Sequence, residues 1–434
     1  MDLLQEITDA DRQYLMQCFP ARQQIVITKA SGTTITDSTG KKYLDLFSGI
    51  SVANVGHCHP KVVAAIREQV GRYMHVSNYY YNDVTPKLAK KLVSVAPASL
   101  KRVFFCNSGT EANDGAIKLA KLFSGTRGNA ATLVSLEGSF HGRLSLTLSL
   151  SGQKKLKRGL GGYANYPGIA YAPIPYRYRY GDDLDVEKFG IKCAEKFQDM
   201  IDHYAPGDVC AAILEPIMGE GGLIVPPDSY LPRVQEICKD RSILFILDEV
   251  QTGIGRTGRM FASELWKLQP DIMTVAKALG GGLPIGAFLA SDEVSSAFTE
   301  GDHFSTFGGN PASCAAGLAT LEVVAEEHLV EHSESLGKEA FHRLTEIAER
   351  SPLIGEVRGK GLMIGIELVK NKKTKSPADR EAGEVKKALL KEGFLIGLGG
   401  LHKNVLRLQP PLIITRKELD LALDNLEKSL SNIT

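Results

Sequence analysis

The sequence predicts an α/β protein: a large, mainly parallel sheet with helices on both faces, followed by a smaller α+β unit. Three observations predict it. A wholly apolar run, residues 243–247, and a second, 272–276, apolar but for Thr274, stop abruptly at Asp248-Glu249 and at Lys277, as buried parallel strands do. From about residue 60, helical and strand patterns alternate, which is the signature of a sheet covered on both faces. Beyond Pro311 the alternation gives way to helix-rich sequence and a hairpin pattern.

The elements follow in order. Residues 1–45 read as an arm, with a short helix and short strands at 25–28 and 33–36. Residues 61–72 and 85–95 read as helices, the second with Pro86 in its first turn, where a missing N–H costs nothing. A strand at 102–105 leads into a helix at 110–123, and a strand at 131–136 follows. The stretch 171–183 is rich in Pro and Tyr and reads as a surface loop. Helices at 186–203 and 229–239 alternate with strands at 211–215 and 243–248. Residues 311–349 are helical with a break near His328. Strands at 354–357 and 362–368 flank a turn at Arg358-Gly359-Lys360-Gly361. A helix at 382–391, a strand at 395–398 and a last helix close the chain, with Leu419, Leu423, Leu426 and Leu430 on one face. The expected division is an arm at 1–45 packing with the small domain, a large domain at 46–320 and a small domain at 321–434.

Composition narrows the function classes. The 434 residues are 43% hydrophobic, ample for a large core. Fifty-one basic and 50 acidic residues leave a net charge of +1 with no basic stripe, which excludes nucleic acid as the expected partner. No apolar run approaches the roughly 20 residues that span a bilayer, and the acidic start lacks the features of a secretory signal. Seven cysteines without Cys-x-x-Cys spacing argue against disulfides or structural zinc and for the reducing cytoplasm. The triplet His57-Cys58-His59 resembles a metal motif, but adjacent residues cannot all face one ion, and no metal is expected.

The chemistry concentrates at the ends of the apolar runs. Asp248 and Lys277 terminate two buried strands and so bring an acid and an amine to one edge of a sheet, where ligands of open α/β sheets bind. Upstream, Asn107-Ser108-Gly109-Thr110-Glu111-Ala112-Asn113 opens a helix, and its free N–H groups favour an anion. Ser108-x-x-Glu111 also fits a plain capping box. An amine, an acid and a phosphate cradle together suit pyridoxal 5'-phosphate: the amine forms the imine, the acid protonates the pyridine nitrogen and the cradle holds the phosphate. A lysine placed in such a site shifts its pKa below its usual value and becomes a nucleophile and base. Gln251 is placed to reach the ring hydroxyl, Val250 to cover one ring face and Phe140 to stack on the other. Arg143 is a candidate fork for a substrate carboxylate. Gly253-Ile254-Gly255-Arg256-Thr257-Gly258 fits G-x-G-x-x-G, but five residues separate it from the strand and no crossover helix follows, so a nicotinamide site is not expected.

These residues match a known family. Nearly end to end, the chain resembles the class III (ω-amino acid) aminotransferases, pyridoxal-phosphate enzymes of fold type I. The ordered set that carries the resemblance is Gly56-His57-Cys58-His59-Pro60, Ser108-Gly109-Thr110-Glu111-Ala112-Asn113, Phe140-His141-Gly142, Glu215-Pro216, Asp248-Glu249-Val250-Gln251, Lys277 and Thr306. The resemblance implies that Lys277 binds the cofactor as a Schiff base and shuttles the substrate proton, and that Asp248 pairs with the pyridine nitrogen. It implies cofactor contacts from Ser108, Gly109, Thr110, Phe140, His141, Glu215, Val250 and Gln251, and that Thr306 reaches the phosphate of a neighbouring subunit in a homodimer or higher homo-oligomer with shared sites. It implies that Ile50 and Tyr80 line the substrate pocket, that Arg407 binds an α-carboxylate, that Glu220 neutralises Arg407 when an ω-amine is bound, and that Arg143 holds the far carboxylate. Leu144-Ser145 follow Arg143 where carboxylate-binding relatives often have Thr, and the tail Gly399-Gly400-Leu401-His402-Lys403-Asn404-Val405 resembles the branch containing alanine–glyoxylate aminotransferases, which often lacks an arginine at the position of Arg143.

The expected reaction moves an amino group from an ω-amino acid of the 4-aminobutyrate, ornithine or acetylornithine kind to an α-keto acid such as 2-oxoglutarate, pyruvate or glyoxylate. Amino-acid racemases and dialkylglycine decarboxylase resemble this fold and share the Lys/Asp pair, so they are the alternatives that keep the cofactor. A nicotinamide dehydrogenase and a non-catalytic scaffold are the alternatives that do not.

Overall fold

The computed structural model describes residues 3–20, 22–125, 132–181, 184–205 and 208–433. A seven-stranded sheet forms the centre. Its spatial order is Arg102–Cys106, Gly286–Ala290, Ile272–Val275, Leu244–Asp248, Val209–Leu214, Thr132–Leu136, Ile169–Ala172. The last five run parallel to one another. Gly286–Ala290 is antiparallel to both its neighbours, which returns Arg102–Cys106 to the common direction. The ends of Arg102–Cys106, Leu244–Asp248 and Ile272–Val275 therefore open on one edge.

Strands covered on both faces need apolar residues throughout. Every residue of Val209–Leu214, Leu244–Asp248, Ile272–Val275 and Gly286–Ala290 is buried. Alternate residues face opposite layers: Leu244 and Ile246 join Ile117 and Phe288, on the side of the helix Gly109–Gly125. Phe245 and Leu247 join Phe197 and Val234 from the helices Val186–Tyr204 and Tyr230–Asp240. The helices Pro60–Arg72, Thr85–Val95 and Pro311–Glu326 share a third cluster with the small domain.

In the C-terminal part, His328 takes a left-handed conformation and divides the helices Pro311–Glu326 and Leu329–Arg350, at the expected break. The first of these helices runs through the boundary expected at 320. Ile354–Lys360 and Met363–Asn371 pair as an antiparallel hairpin, extended by Val405–Leu408 and Gly397–Gly399. Leu419, Leu423, Leu426 and Leu430 of the last helix, Arg416–Ser431, are buried. The arm strands Ile27–Ser31, Thr34–Asp37 and Lys42–Asp45 gain a fourth from Phe394–Leu395 of the C-terminal part.

Three expectations need correction. Residues 358–361 are not all turn: the strand runs to Lys360, and Gly361, with φ +54°, turns the chain. Arg358 was read as a turn residue because it is charged, but it is buried beside Glu356 and Glu367. Residues 171–181 are not a surface loop. They complete the strand Ile169–Ala172, form the short helix Arg177–Tyr180 and bury Ile174 and Tyr176, whose hydroxyl donates to Glu367; Asp182 and Asp183 lie outside the described residues. The strand expected at 395–398 is two pieces in two sheets, Phe394–Leu395 and Gly397–Gly399, which part at Ile396. Ala131, expected at the start of its strand, lies outside the described residues, and the strand is Thr132–Leu136.

Candidate active site

A cavity of about 490 Å³ sits at the shared strand edge, walled by the start of the helix Gly109–Gly125, the segment at Phe140–Arg143, and the strand ends at Asp248 and Lys277. Asp248 forms its acidic floor. Its Oδ2 accepts from Asn113 Nδ2 at 2.8 Å and faces His141 Nδ1 at 2.8 Å, and its Oδ1 accepts from the Val250 N–H at 3.1 Å. The imidazole Nδ1 must carry its proton to make that bond, while Nε2 lies 3.2 Å from Ser135 Oγ. Asn113 also donates to the His141 carbonyl at 2.8 Å and accepts from Thr274 Oγ1 at 2.7 Å. A buried carboxylate held by three donors is fixed in direction.

Lys277 follows Ala276 at the start of the short helix Lys277–Gly280, with φ +39°. That rarely occupied backbone region is a strained placement for a non-glycine residue. Burial lowers its pKa, opposed by the charges of Glu220, Asp248 and Glu215 and reinforced by Arg407. The charged form of the amine is thereby less favoured than on an exposed lysine.

At the start of the helix Gly109–Gly125, the capping box is formed. Ser108 Oγ accepts from the Glu111 N–H at 3.3 Å and donates to Glu111 Oε1 at 3.0 Å, a capping arrangement. The first N–H groups of the helix, at Gly109 and Thr110, have no acceptor within it. Thr110 Oγ1 lies 2.6 Å from Thr147 Oγ1. Gly109 is required: a Cβ there would sit 2.7 Å from Val250 Cγ1.

Glu215 accepts from the N–H groups of Phe140 at 2.9 Å and Gly219 at 2.8 Å. Burial pushes its pKa up to about 7, with His141 opposing and Asp248 adding to the rise. Gln251 is buried against Gly219, and its Nε2 has no hydrogen-bond partner. Arg143 lines the cavity with its guanidinium 5.6 Å from the Phe140 ring centre, and no carboxylate pairs with it among the described residues.

The structure brings Glu220 and Arg407 together. Arg407 Nη1 donates to Glu220 Oε1 at 2.6 Å, and the guanidinium lies over the Phe47 ring at 4.9 Å. Gly399 makes room for it, since a Cβ there would meet Arg407 Nε at 2.9 Å. Burial raises the pKa of Glu220, but the charge and hydrogen bond of Arg407 outweigh it and the net shift is downward. Ile50, Tyr80 and Thr306 do not line the cavity of this single chain, and Tyr80 is 71% exposed. Two supporting residues escaped the sequence reading. Asn113 lies inside the helix-start motif without a role there, and Phe47 carries no sequence signal for its place under Arg407.

The decoys have other occupations. His57 Nε2 lies 2.7 Å from Asp45 Oδ2, and His59 Nε2 lies 2.9 Å from Glu327 Oε1. Among the described residues no group of three or more His, Cys, Asp or Glu is placed to hold a metal. No described helix is long and apolar enough to cross a membrane.

The α/β architecture, with its largely parallel central sheet, is that of the fold type I transferases. The sequence pattern of the aminotransferase class III family matches residues 19–430, and the chain belongs to that family; it is a class III aminotransferase. It is 42% identical over 430 residues to an acetylornithine aminotransferase of Methanothermobacter thermautotrophicus, covering 99% of each chain. It is 40% identical over 414 residues to a leucine/methionine racemase of Thermococcus litoralis, covering 94% of this chain and 91% of that one. A Bacillus anthracis aminotransferase superposes with a TM-score of 0.92 at 30% identity over the whole of both chains.

Proposed function

We propose that this aminotransferase takes its amino group from an ω-amino acid of the acetylornithine, ornithine or 4-aminobutyrate kind and delivers it to an α-keto acid, with pyridoxal 5'-phosphate as cofactor. The observation that carries the reading is the Glu220–Arg407 pair at 2.6 Å beside Lys277. The residues present fit the cofactor: Gln251 has a buried, unpartnered amide nitrogen, Gly109 admits Val250 close to the helix start, and Asp248 is a fixed acid. When bound, the cofactor supplies a conjugated ring that accepts an electron pair from the substrate carbon.

The chain's own groups do the rest. Lys277 anchors the cofactor and moves the proton at the substrate carbon. Asp248, fixed by Asn113 and His141, keeps a proton on the pyridine nitrogen. Phe140 and Val250 cover the two ring faces, His141 and Glu215 support that wall, and the start of the helix at Ser108, Gly109 and Thr110 takes the phosphate. Arg143 holds the far carboxylate. Arg407 binds the α-carboxylate of the keto acid, and Glu220 occupies it when an ω-amine presents only C–H groups there, because a buried cation without a partner is costly. A second copy of the chain completes the site: Thr306 is exposed, as are Phe304 and Phe307 beside it in sequence, and so are Tyr80 and Tyr79, whose ring lies 5.5 Å from that of Phe304, so Tyr80 and Ile50 reach substrate only in the homodimer. Seven free cysteines suit a cytoplasmic setting.

The test is chemical trapping. Protein loaded with pyridoxal phosphate and reduced with borohydride should carry the label on the Lys277 peptide. The same protein should convert N-acetylornithine with 2-oxoglutarate, and Lys277→Ala should do neither. A label on another lysine, or none, refutes the reading. The likeness to the Thermococcus litoralis racemase supports a second reading, racemisation of an α-amino acid. Accumulation of D-leucine from L-leucine, without keto acid consumed, would establish it.

A further inference from the structure

We propose that Arg358 is the positioning residue of the Glu220 switch: it fixes the backbone around Glu220, so that the carboxylate leaves Arg407 by turning its own side chain and not by moving its loop. The inference rests on the reading of Glu220 and Arg407 given above.

The switch sits at the tip of a small loop. Met218 and Ile224 pair across its base, N–H to carbonyl in both directions, at 3.1 and 3.2 Å. The N–H groups of Gly222 and Leu223 both reach the Gly219 carbonyl, at 3.1 and 3.2 Å. One flank is tied to the large domain through the Gly219 N–H and Glu215. The other is tied to the small domain. Arg358 Nε donates to the carbonyls of Gly222 and Leu223, both at 3.1 Å, and Nη2 donates to Gly222 O at 2.5 Å. The Gly221 carbonyl accepts from the Leu401 N–H at 3.2 Å. Every residue around Glu220 is thus anchored, while the Glu220 carboxylate itself is bonded to Arg407.

Arg358 is built to hold this position. It is buried, its Nη1 donates to Glu367 Oε2 at 2.6 Å and to Glu356, and its guanidinium lies 4.9 Å from the Tyr176 ring centre. Glu367 is held in turn by Tyr176 and Arg179. Gly222 has φ +120° and Leu223 φ +54°, a backbone path that needs outside support. A planar fork grips two successive carbonyls while facing two carboxylates; a lysine ammonium is a single point and cannot. The residue sits on the strand Ile354–Lys360, which pairs with the strand that pairs with Val405–Leu408, so one sheet carries both Arg407 and the clamp on Glu220.

The experiment measures glutarate, an unreactive dicarboxylate, binding to the loaded enzyme by calorimetry, alongside the melting temperature. Glutarate must displace Glu220 from Arg407 in the parent protein. Glu220→Ala should therefore tighten glutarate binding about tenfold. Arg358→Lys should tighten it at least threefold, and N-acetylornithine should lose activity by more than 2-oxoglutarate does in separated half-reactions. Gly222→Ala, whose Cβ would sit 3.3 Å from Arg358 Nη2, carries the same test from the other side if Arg358→Lys does not fold. Lowered melting temperature with unchanged glutarate affinity and equal losses in both half-reactions overturns the proposal. If Glu220→Ala itself leaves glutarate affinity unchanged, the switch reading fails; if Glu220→Ala tightens binding and neither other variant does, the positioning role alone fails.

Discussion

Replacing Asn113 with alanine tests the support of the buried acid directly. Asn113 is 1% exposed, and its amide makes three bonds to buried partners: to Asp248 Oδ2, to the His141 carbonyl and from the Thr274 hydroxyl. The first is charge-assisted and contributes about 1.5–3 kcal/mol, and each neutral bond contributes about 0.5–1.5 kcal/mol. The gross loss is about 4 kcal/mol. Asn113 borders the cavity, so water can replace part of it, and the Thr274 hydroxyl can turn; about 2 kcal/mol is the expected net cost. Half of the bonding to Asp248 Oδ2 remains with His141, so the carboxylate is loosened and not lost. Denaturation of the cofactor-free protein should show the stability cost, and titration with pyridoxal phosphate should show affinity reduced about tenfold as the acid loses its direction. Stability within 0.5 kcal/mol of the parent, a threshold set at roughly the scatter of surface substitutions, together with unchanged cofactor affinity, would refute the reasoning.

Two further outcomes follow from the same geometry. Glu215 titrates near 7 in the folded protein against an ordinary value of 4.5, so between those values the native state holds a proton the unfolded chain has lost, and stability falls as pH rises. The group accounts for about 3 kcal/mol over that window, and Glu215→Gln should flatten the pH dependence by that order in denaturation at pH 5 and pH 8; an unchanged slope would show that the carboxyl ionises normally. Gly142 has φ +141°, and a Cβ there would strike the hydroxyls of Thr110 and Thr147, so Gly142→Ala should weaken cofactor binding about tenfold, read from the same titration, because it pushes Thr110 off the phosphate end. Affinity equal to the parent's would place the phosphate elsewhere.

The parts of the site legible in the sequence were those marked by a break in polarity. Asp248 and Lys277 stood out because each ends a run that is apolar but for Thr274, the pattern of a strand buried on both faces. What stayed hidden was polarity that is buried but not at a strand end. Arg358 looked like a turn residue and Tyr176 like a loop residue because each is polar among turn formers; only the three-dimensional meeting of residues 176, 179, 356, 358 and 367 neutralises them. Gly397 and Gly399 gave no signal either, since a strand glycine weakens a strand pattern. In the fold they are required, because Phe47 and the guanidinium of Arg407 occupy the space their side chains would take.

The Gly253–Gly258 segment shows why a pattern without its context misleads. Nucleotide-binding glycines let the backbone approach a pyrophosphate. Here they let it approach protein. A Cβ on Gly255 would meet Leu412 at 2.9 Å, and one on Gly258 would meet the Glu334 backbone at 2.9 Å. The buried Arg256 between them donates to the carbonyls of Leu362 at 3.0 Å and Pro410 at 2.6 Å, and its other arm reaches Asn54 Oδ1 at 2.5 Å. Ser333 Oγ donates to the Arg256 carbonyl at 3.1 Å. The segment begins at Gly253, directly after the turn bearing Val250 and Gln251, and grips the chain just beyond Arg407. Burial lowers the pKa of Arg256 to about 9 while the charge of Asp45 opposes, and with carbonyls rather than carboxylates as partners the guanidinium costs more to bury than a paired one would. A chain accepts that cost where it fixes geometry: this buckle ties the turn bearing Val250 and Gln251 to the chain just beyond Arg407.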